Sequence, residues 1–465
     1  MSIVPYEHHL ENTPCLACDS FLRQFKIGPI LRQCGADKER GIAVVEVFRL
    51  LVLLVFRHKS LNMVMADRDE AFSKDTAYRL LNSVRVNWRR FILMLSKRII
   101  EQSIRDLTEE DRVNVLVADS SVYDRNRGRK VELISRVHDH VVNRYVRGFR
   151  LLTLGWSDGN TFLPLVFGVL SSNKQKNRYQ EARKVDSRSN GGKRRKEATL
   201  KYTDMLFVLL AEIKAAGINA KYLLMDSAFS HPATVIHSRQ ASGTEVVTRA
   251  KDSSRIHYLF EDREKTLSGI YRYIRKRRGK AKWKAVVDVL LKGPSGEQDV
   301  PARIIYVTHR RNSKNWVALL TTDTVTDADE IIRIYGKRWS IEVFFRMCKS
   351  CLNLCREFQG RSFDVVNAQV ALVFCRYLLL AYEQRCQIDP RTLGHIFHAC
   401  CDELQDIQLA EALTRLLRHL QDFLLKNGGL DDELICKLIE EFIETLPHKL
   451  RFSLEKVRNS ISKAA

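Results

Sequence analysis

The run Tyr335-Gly-Lys-Arg338-Trp-Ser-Ile-Glu342-Val-Phe-Phe-Arg346-Met-Cys-Lys349 sets one acid among cations and aromatic rings. Wound as a helix at about 100° per residue, Tyr335, Arg338, Glu342, Arg346 and Lys349 share an arc of roughly 80°. That spacing alone also suits a solvated ladder of ion pairs. Two further acids matter. Asp119 closes the apolar run Val113-Asn-Val-Leu-Val-Ala118, and Asp226 closes Lys221-Tyr-Leu-Leu-Met225; both runs read as buried strands. Three carboxylates on separate elements are what a pair of divalent cations needs, the ions lying about 3.5–4 Å apart astride an in-line phosphoryl displacement. Oxygen-only ligation suits Mg2+ or Mn2+. An Asp after a strand is also a common helix N-cap, so residue types leave both readings open.

The elements that must position these groups follow from periodicity. Residues 1–105 read as helical, with an apolar helix over Ile42–Phe56 and a helix start at Ser73. Lys74, Arg79, Arg85, Arg89 and Arg90 on an open face suit a DNA-binding helical region; a bundle with a solvated basic face is the plainer alternative. Phe149–Trp156 and Phe162–Leu170 read as strands joined by the turn Ser157-Asp-Gly-Asn160. The stretch from Asn173 to Ala198 carries ten Lys or Arg and reads as a mobile basic loop. A helix is expected over Leu200–Ala216 with Gly217 as its stop, then a strand over Glu245–Thr248 closed by Arg249. Residues 251–322 have an all-β texture, with strands expected at Ser268–Ile274, Lys282–Leu291, Ala302–Thr308 and Trp316–Thr321. After Lys349 the chain reads as helical to its end. The resulting division is 1–105, 106–250, 251–322, 323–370 and 371–465.

Composition narrows the partner. The 465 residues carry a formal charge of +22, which attracts polyanions. The apolar run Leu50–Phe56 is too short to span a bilayer, and the first residues lack a signal-peptide pattern. A cytoplasmic, nucleoid-associated protein is therefore expected, with nucleic acid rather than a membrane as partner. Eleven cysteines show no disulfide rhythm, and Cys15-Leu-Ala-Cys18 has no second CxxC to complete a zinc site. His138, Asp139 and His140 lie in a basic stretch and read as solvated rather than as a metal cluster; His231 reads as a helix-start residue and Trp339 as a packing residue.

With these residues in view, the sequence resembles the bacterial insertion-sequence transposases of the IS-four family, DDE enzymes with an RNase H-like core. Their signature is Tyr, two residues, Arg, three residues, Glu, six residues, Lys; Tyr335, Arg338, Glu342 and Lys349 fit it without a gap. Val117-Ala-Asp119-Ser-Ser121 and Leu224-Met-Asp226-Ser look like the family's two aspartate regions. The resemblance implies an RNase H-like α/β core, a mixed sheet interrupted by a β-strand insertion domain, with helical N- and C-terminal regions. It implies Asp119, Asp226 and Glu342 as a metal triad for two Mg2+ or Mn2+ ions, Asp119 being the shared ligand. It implies Tyr335, Arg338 and Lys349 as clamps on transposon-end phosphates, with Arg346 on the same stripe and Arg249 as an end-binding arginine. Trp316 matches the insertion-domain tryptophan that stacks a flipped base in relatives making a DNA hairpin; core packing is its plainer role. The expected activity is cut-and-paste transposition. A nick at the terminal inverted repeat frees a 3′-hydroxyl, which attacks first the opposite strand and, after reopening, target DNA. A homodimer on paired double-stranded ends is implied, the C-terminal helices being a candidate for pairing. The competing expectations are an RNase H-like nuclease or resolvase unconnected with transposition, and a non-cleaving DNA-binding relic.

Overall fold

The computed structural model describes residues 16–38, 40–66, 72–108, 112–139, 142–277, 281–294, 298–309, 315–386, 392–427, 432–447 and 450–451. Six helices come first: α1 (Leu16–Gln24), α2 (Ile27–Gln33), α3 (Val44–Leu53), α4 (Leu61–Ala66), α5 (Lys74–Leu81) and α6 (Trp88–Ile99). In α6 the Asn87 side chain accepts the Arg90 N–H at 3.1 Å as an N-cap, and Phe91, Ile92, Leu95 and Ile99 form its buried face. Strands β1 (Val115–Asp124), β2 (Ser135–Asp139), β3 (Arg144–Ser157) and β4 (Phe162–Leu170) follow. Then come α7 (Asn190–Glu197), α8 (Tyr202–Ala215), β5 (Tyr222–Met225), α9 (Pro232–Ser242) and β6 (Glu245–Arg249). The insertion holds β7 (Tyr258–Phe260), β8 (Arg263–Lys265), α10 (Leu267–Tyr273), β9 (Trp283–Leu291), β10 (Val300–Thr308) and β11 (Trp316–Thr321). The rest is α11 (Ala328–Gly336), α12 (Trp339–Ser350), α13 (Phe363–Cys386), α14 (Leu393–Asn427) and α15 (Asp432–Thr445).

The chain divides into two compact units. The larger, residues 27–39 and 78–389, is built on an eleven-stranded mixed sheet in the order β2-β3-β1-β5-β6-β11-β10-β9-β7-β8, with β4 also paired to β3. β1, β5 and β6 are parallel and β3 is antiparallel to β1. β4 is buried along its whole length because α6, α8 and α13 all lie against it. This is the expected α/β core with a β insertion, and the insertion extends the core sheet through β6–β11 pairing. The 24-residue α13 is long and apolar enough to cross a membrane, which the sequence reading did not single out; its most apolar stretch is 94% buried, as in a core helix.

The smaller unit, residues 1–26, 40–77 and 390–465, is helical among its described residues. Arg49 and Asp19 tie α3 to α1 at 2.7 Å, and Leu417, Ile435 and Ile439 form a small core between α14 and α15.

Several local expectations change. Arg89, expected on an open basic face, is buried and paired with Glu197 and Glu212. The stretch 173–198 is not simply a loop: Ser189 accepts the Gly192 N–H at 3.0 Å and starts α7. Residues 268–274 are not a strand. Thr266 caps Gly269 N–H at 3.1 Å, Leu267 and Ile270 are buried one turn apart, and α10 results. The helical run after Lys349 is interrupted at 351–362, and the last residues lie outside those described. Lastly, 335–349 is not one helix. Arg338 N–H bonds to Tyr335 O and Ser340 N–H to Lys337 O, tight three-residue turns that separate α11 from α12.

Candidate active site

Parallel pairing brings the two aspartates together. Val115–Ala118 pair in register with Tyr222–Met225, so Asp119 and Asp226 are the next residues on neighbouring strands. Asp119 does not end its strand as the sequence suggested. β1 continues to Asp124 because β3 stays paired with it, Asp119 opposite Thr153. What ends at Asp119 is the pairing with β5. There β5 gives way to a short turn over Ser227–Phe229, leaving Asp226 at the strand end. The Ser120 N–H donates to Asp119 Oδ1 at 2.7 Å and fixes its carboxylate.

Glu342 stands across a single guanidinium. Arg338 donates to Asp119 Oδ2 at 2.9 Å through Nη1 and to Glu342 through Nη2. The Asp119 carboxyl is pushed up to about 6, chiefly by burial and further by the charges of Asp226 and Glu342; Arg338 and the Ser120 N–H act against them. Asp119 on β1 thus feels the charges of Asp226, at the end of β5, and of Glu342 on α12.

The Tyr335 hydroxyl donates to Met225 O at 3.3 Å, beside Asp226, and Arg249 lies next to it. Burial raises the Tyr335 phenol to about 12. Its ring centre is 6.0 Å from the Arg338 guanidinium. Arg249, Arg346 and Lys349 are exposed. Lys349 borders a cavity of about 780 Å³ shared with Asp124, Arg125, Arg127, Asp139 and Arg356. Trp316 sits in the insertion, half-buried, with its ring 5.1 Å from Tyr271 and 5.0 Å from Tyr306. Trp339, expected to pack, is 56% exposed, because α12 buries Ile341, Phe344, Phe345 and Cys348 on its opposite side.

A family model described as DDE superfamily endonuclease matches residues 37–300, more than half of the chain. The chain belongs to the DDE superfamily endonuclease family. The matched stretch includes Asp119 and Asp226 and stops before Glu342. A protein of Sinorhizobium fredii (strain NBRC 101917 / NGR234), whose name reads "Putative transposase y4zB", is 31% identical over 90 residues. Those residues are 19% of this chain and 25% of that protein, so the chain spans about a quarter of that relative's length.

In this DDE-family chain one neighbour of the aspartates went unread in the sequence. Tyr202, the first residue of α8, stacks on Phe229 at 4.5 Å, bonds to Ser120 and feels the charges of Asp119 and Asp226; burial raises its phenol well above the usual range. Arg150 of β3 lies 5.5 Å from its ring and borders a cavity of about 300 Å³ with Tyr202 and His138. No local pattern marks Tyr202, since only the tertiary fold carries it to β1. His138 contacts Tyr145 edge-on at 5.0 Å, and His231 immediately precedes α9, as a helix-start residue should. His140 and Cys15 lie outside the described residues.

Among the described residues no three His, Cys, Asp or Glu side chains form a ready-made ligand set. The Arg338 guanidinium is paired with both Asp119 and Glu342. All three candidate donors are carboxylates, and two of them, Asp119 and Glu342, already share one cation, so their chemistry fits a hard divalent ion.

Proposed function

We propose that this protein is a DDE transposase that cuts and joins DNA at the terminal inverted repeats of an insertion sequence. The observation that carries this reading is the convergence of Asp119 and Asp226 on adjacent parallel strands, with Glu342 one guanidinium away. Asp119, Asp226 and Glu342 would hold two Mg2+ or Mn2+ ions, with Asp119 shared. Bound there, such ions supply charge stabilisation to the attacking and leaving oxygens of an in-line displacement.

The chain's own groups do the rest. Arg338, displaced from Asp119 and Glu342, grips a phosphate oxygen next to them. Lys349, Arg346 and Arg249 hold flanking phosphates, and Tyr335 fixes the end of β5 by its bond to Met225. Water displaces the 3′-oxygen from the scissile phosphorus, leaving a 5′-phosphate and a free 3′-hydroxyl. That hydroxyl then attacks a phosphorus in the second DNA, forming one phosphodiester as another breaks. Trp316 serves a hairpin route if its ring leaves Tyr271 and Tyr306 for a base. The basic helices before residue 105 serve DNA binding. The C-terminal helices, which expose Leu416, Leu420, Phe423, Leu434, Leu438 and Phe442, serve pairing of two copies on two DNA ends.

The test incubates the protein, Mg2+ and duplex DNA carrying the element's inverted repeats. Wild type should nick at the repeat end and join it to a second DNA. Asp119→Ala, Asp226→Ala and Glu342→Ala should each lose at least about a hundred-fold in nicking rate. No cleavage by wild type, or undiminished cleavage by these variants, sinks the proposal. Cleavage of branched DNA without regard to the repeats would favour a resolvase instead.

A further inference from the structure

We propose that the cavity beside Tyr202 holds a backbone phosphate of the acceptor DNA, the one into which a freed end is joined. The inference rests on the cut-and-join reading above and gives its second substrate a place. The cavity, of about 300 Å³, is bordered by Arg136, His138, Arg150, Lys201 and Tyr202 and by no Asp or Glu. Three larger cavities each have two acids in their lining: Glu101 and Glu212, Glu101 and Asp106, Asp124 and Asp139. Arg136, Arg150 and Lys201 have no carboxylate partner among the described residues. Rings support two of them instead. The Arg136 guanidinium lies 3.9 Å from the centre of the Tyr145 ring, and that of Arg150 lies 5.5 Å from the centre of the Tyr202 ring. Elsewhere the chain neutralises Arg89, Arg195 and Arg338 with its own acids. Unpaired cations around an acid-free hollow are left for an anion from outside. The volume is that of roughly ten waters, which suits one phosphate with its sugar.

The position of the cavity says which DNA it serves. Arg338 meets the carboxylate of Asp119. Ser120 is the next residue of β1, so its side chain leaves the opposite face of the strand. Tyr202 bonds to Ser120 there, and Arg150, opposite Val122 on β3, shares that face. Tyr202 and Arg150 therefore approach from the face turned away from the Arg338 pair. An in-line displacement has its attacking and leaving oxygens on opposite sides of the phosphorus. In joining, the 3′-hydroxyl of the donor end bonds to a phosphorus of the acceptor and gives its proton to water. The acceptor's own 3′-oxygen leaves and takes up a proton, so one phosphodiester replaces another. Donor and acceptor thus come to the acids from two sides. Arg338, on the first, serves the donor end, and the cavity on the second serves the acceptor. Val122 is three residues beyond Asp119, about 10 Å along β1. A strand advances about 3.4 Å per nucleotide, so the phosphate held near Arg150 lies about three nucleotides from the point of joining.

The experiment uses the full chain, Mg2+, a duplex ending in the inverted repeat with its 3′-hydroxyl already free, and a plasmid without the repeat as acceptor. Wild type should join the one to the other. Arg136→Gln, Arg150→Gln and Lys201→Gln should each raise the KM for plasmid roughly five- to tenfold at unchanged kcat. Each should also lower the salt slope of plasmid binding by about one. Nicking of the intact repeat, and affinity for the repeat-end duplex, should stay within about twofold of wild type, because no donor contact is removed. Arg150→Lys should restore the KM for plasmid, which separates a lost charge from a lost fold. Equal losses in nicking and joining, or unchanged joining when all three are replaced by Gln, overturn the proposal. Inorganic phosphate that binds wild type but not Arg150→Gln in calorimetry, with joining unchanged in that variant, marks a site for a free anion and overturns it too. Wild type that nicks the repeat while the variants join as well as it does overturns this inference alone; wild type that neither nicks nor joins overturns the cut-and-join reading with it.

Discussion

Asp119 is held in a state that opposes stability. Its carboxyl rises from 3.8 to about 6 on folding, so the folded chain binds that proton more tightly than the unfolded one. The stability contributed by the protonated form is complete below pH 3.8 and is lost as pH rises through about 6. Above that the ionised, desolvated carboxylate is a constant burden. Asp119→Asn keeps the shape and removes the charge. In EDTA it should raise stability by about 1–2 kcal/mol above pH 6, after allowing for the lost Arg338 pair, and have little effect below pH 4. Denaturant melts at the two pH values check this; equal effects at both would show that burial does not govern the group. The aspartates were legible in the sequence because each follows an apolar run, and Glu342 because of its spacing from Tyr335, Arg338 and Lys349. Tyr202 was not, because its proximity to Asp119 depends on packing between residues far apart in sequence; Arg150 was not, because it reaches the site only through the Tyr202 ring.

Among the elements, α7 shows most clearly what a one-dimensional reading loses. Its residues are polar and rich in cations, so nothing local demands burial. Arg195 is nonetheless buried, bidentate to Glu132 at 2.6 and 2.9 Å and to Asp364 at 2.9 and 2.6 Å. Glu132 also accepts the backbone N–H of Phe363 at 2.8 Å and of Arg183 at 2.7 Å. One guanidinium thereby fastens α7, the segment before β2 and the first turn of α13. Its partners lie 63 and 169 residues away in sequence, out of reach of any periodicity argument. Arg195→Ala leaves two buried carboxylates without their cation and should cost about 3–5 kcal/mol in denaturant unfolding. A loss under about 1 kcal/mol would mean that water reaches the triad. By contrast β11 was read over the same residues as observed, and β9 and β10 to within two, since β-rich runs between polar turns are a local signal.

For the whole molecule, the charge of +22 makes a testable claim about salt. If six or more phosphates are neutralised, log affinity for duplex DNA should fall against log salt with a slope of about −5, losing roughly a thousand-fold between 50 and 200 mM. Titrations by fluorescence anisotropy measure it. A slope shallower than about −2 would mean that the basic side chains are spent on internal pairs such as those of Arg195 and Arg89.

The sheet passes without a break from the aspartate strands into the insertion. Leu319, Leu320 and Thr321 are laddered onto Arg249, Thr248 and Val247, and the Ala250 and Val246 N–H groups bond to Ala318 O and Thr322 Oγ1. Swinging the insertion as a flap would rupture that seam. The core and insertion therefore form one stiff anvil, and under the proposed DNA cleavage the burden of deformation passes to the nucleic acid. Ends that fray easily should be worked faster than ends clamped by G·C pairs, a preference arising from the mechanics of the duplex rather than from any side chain that reads a base.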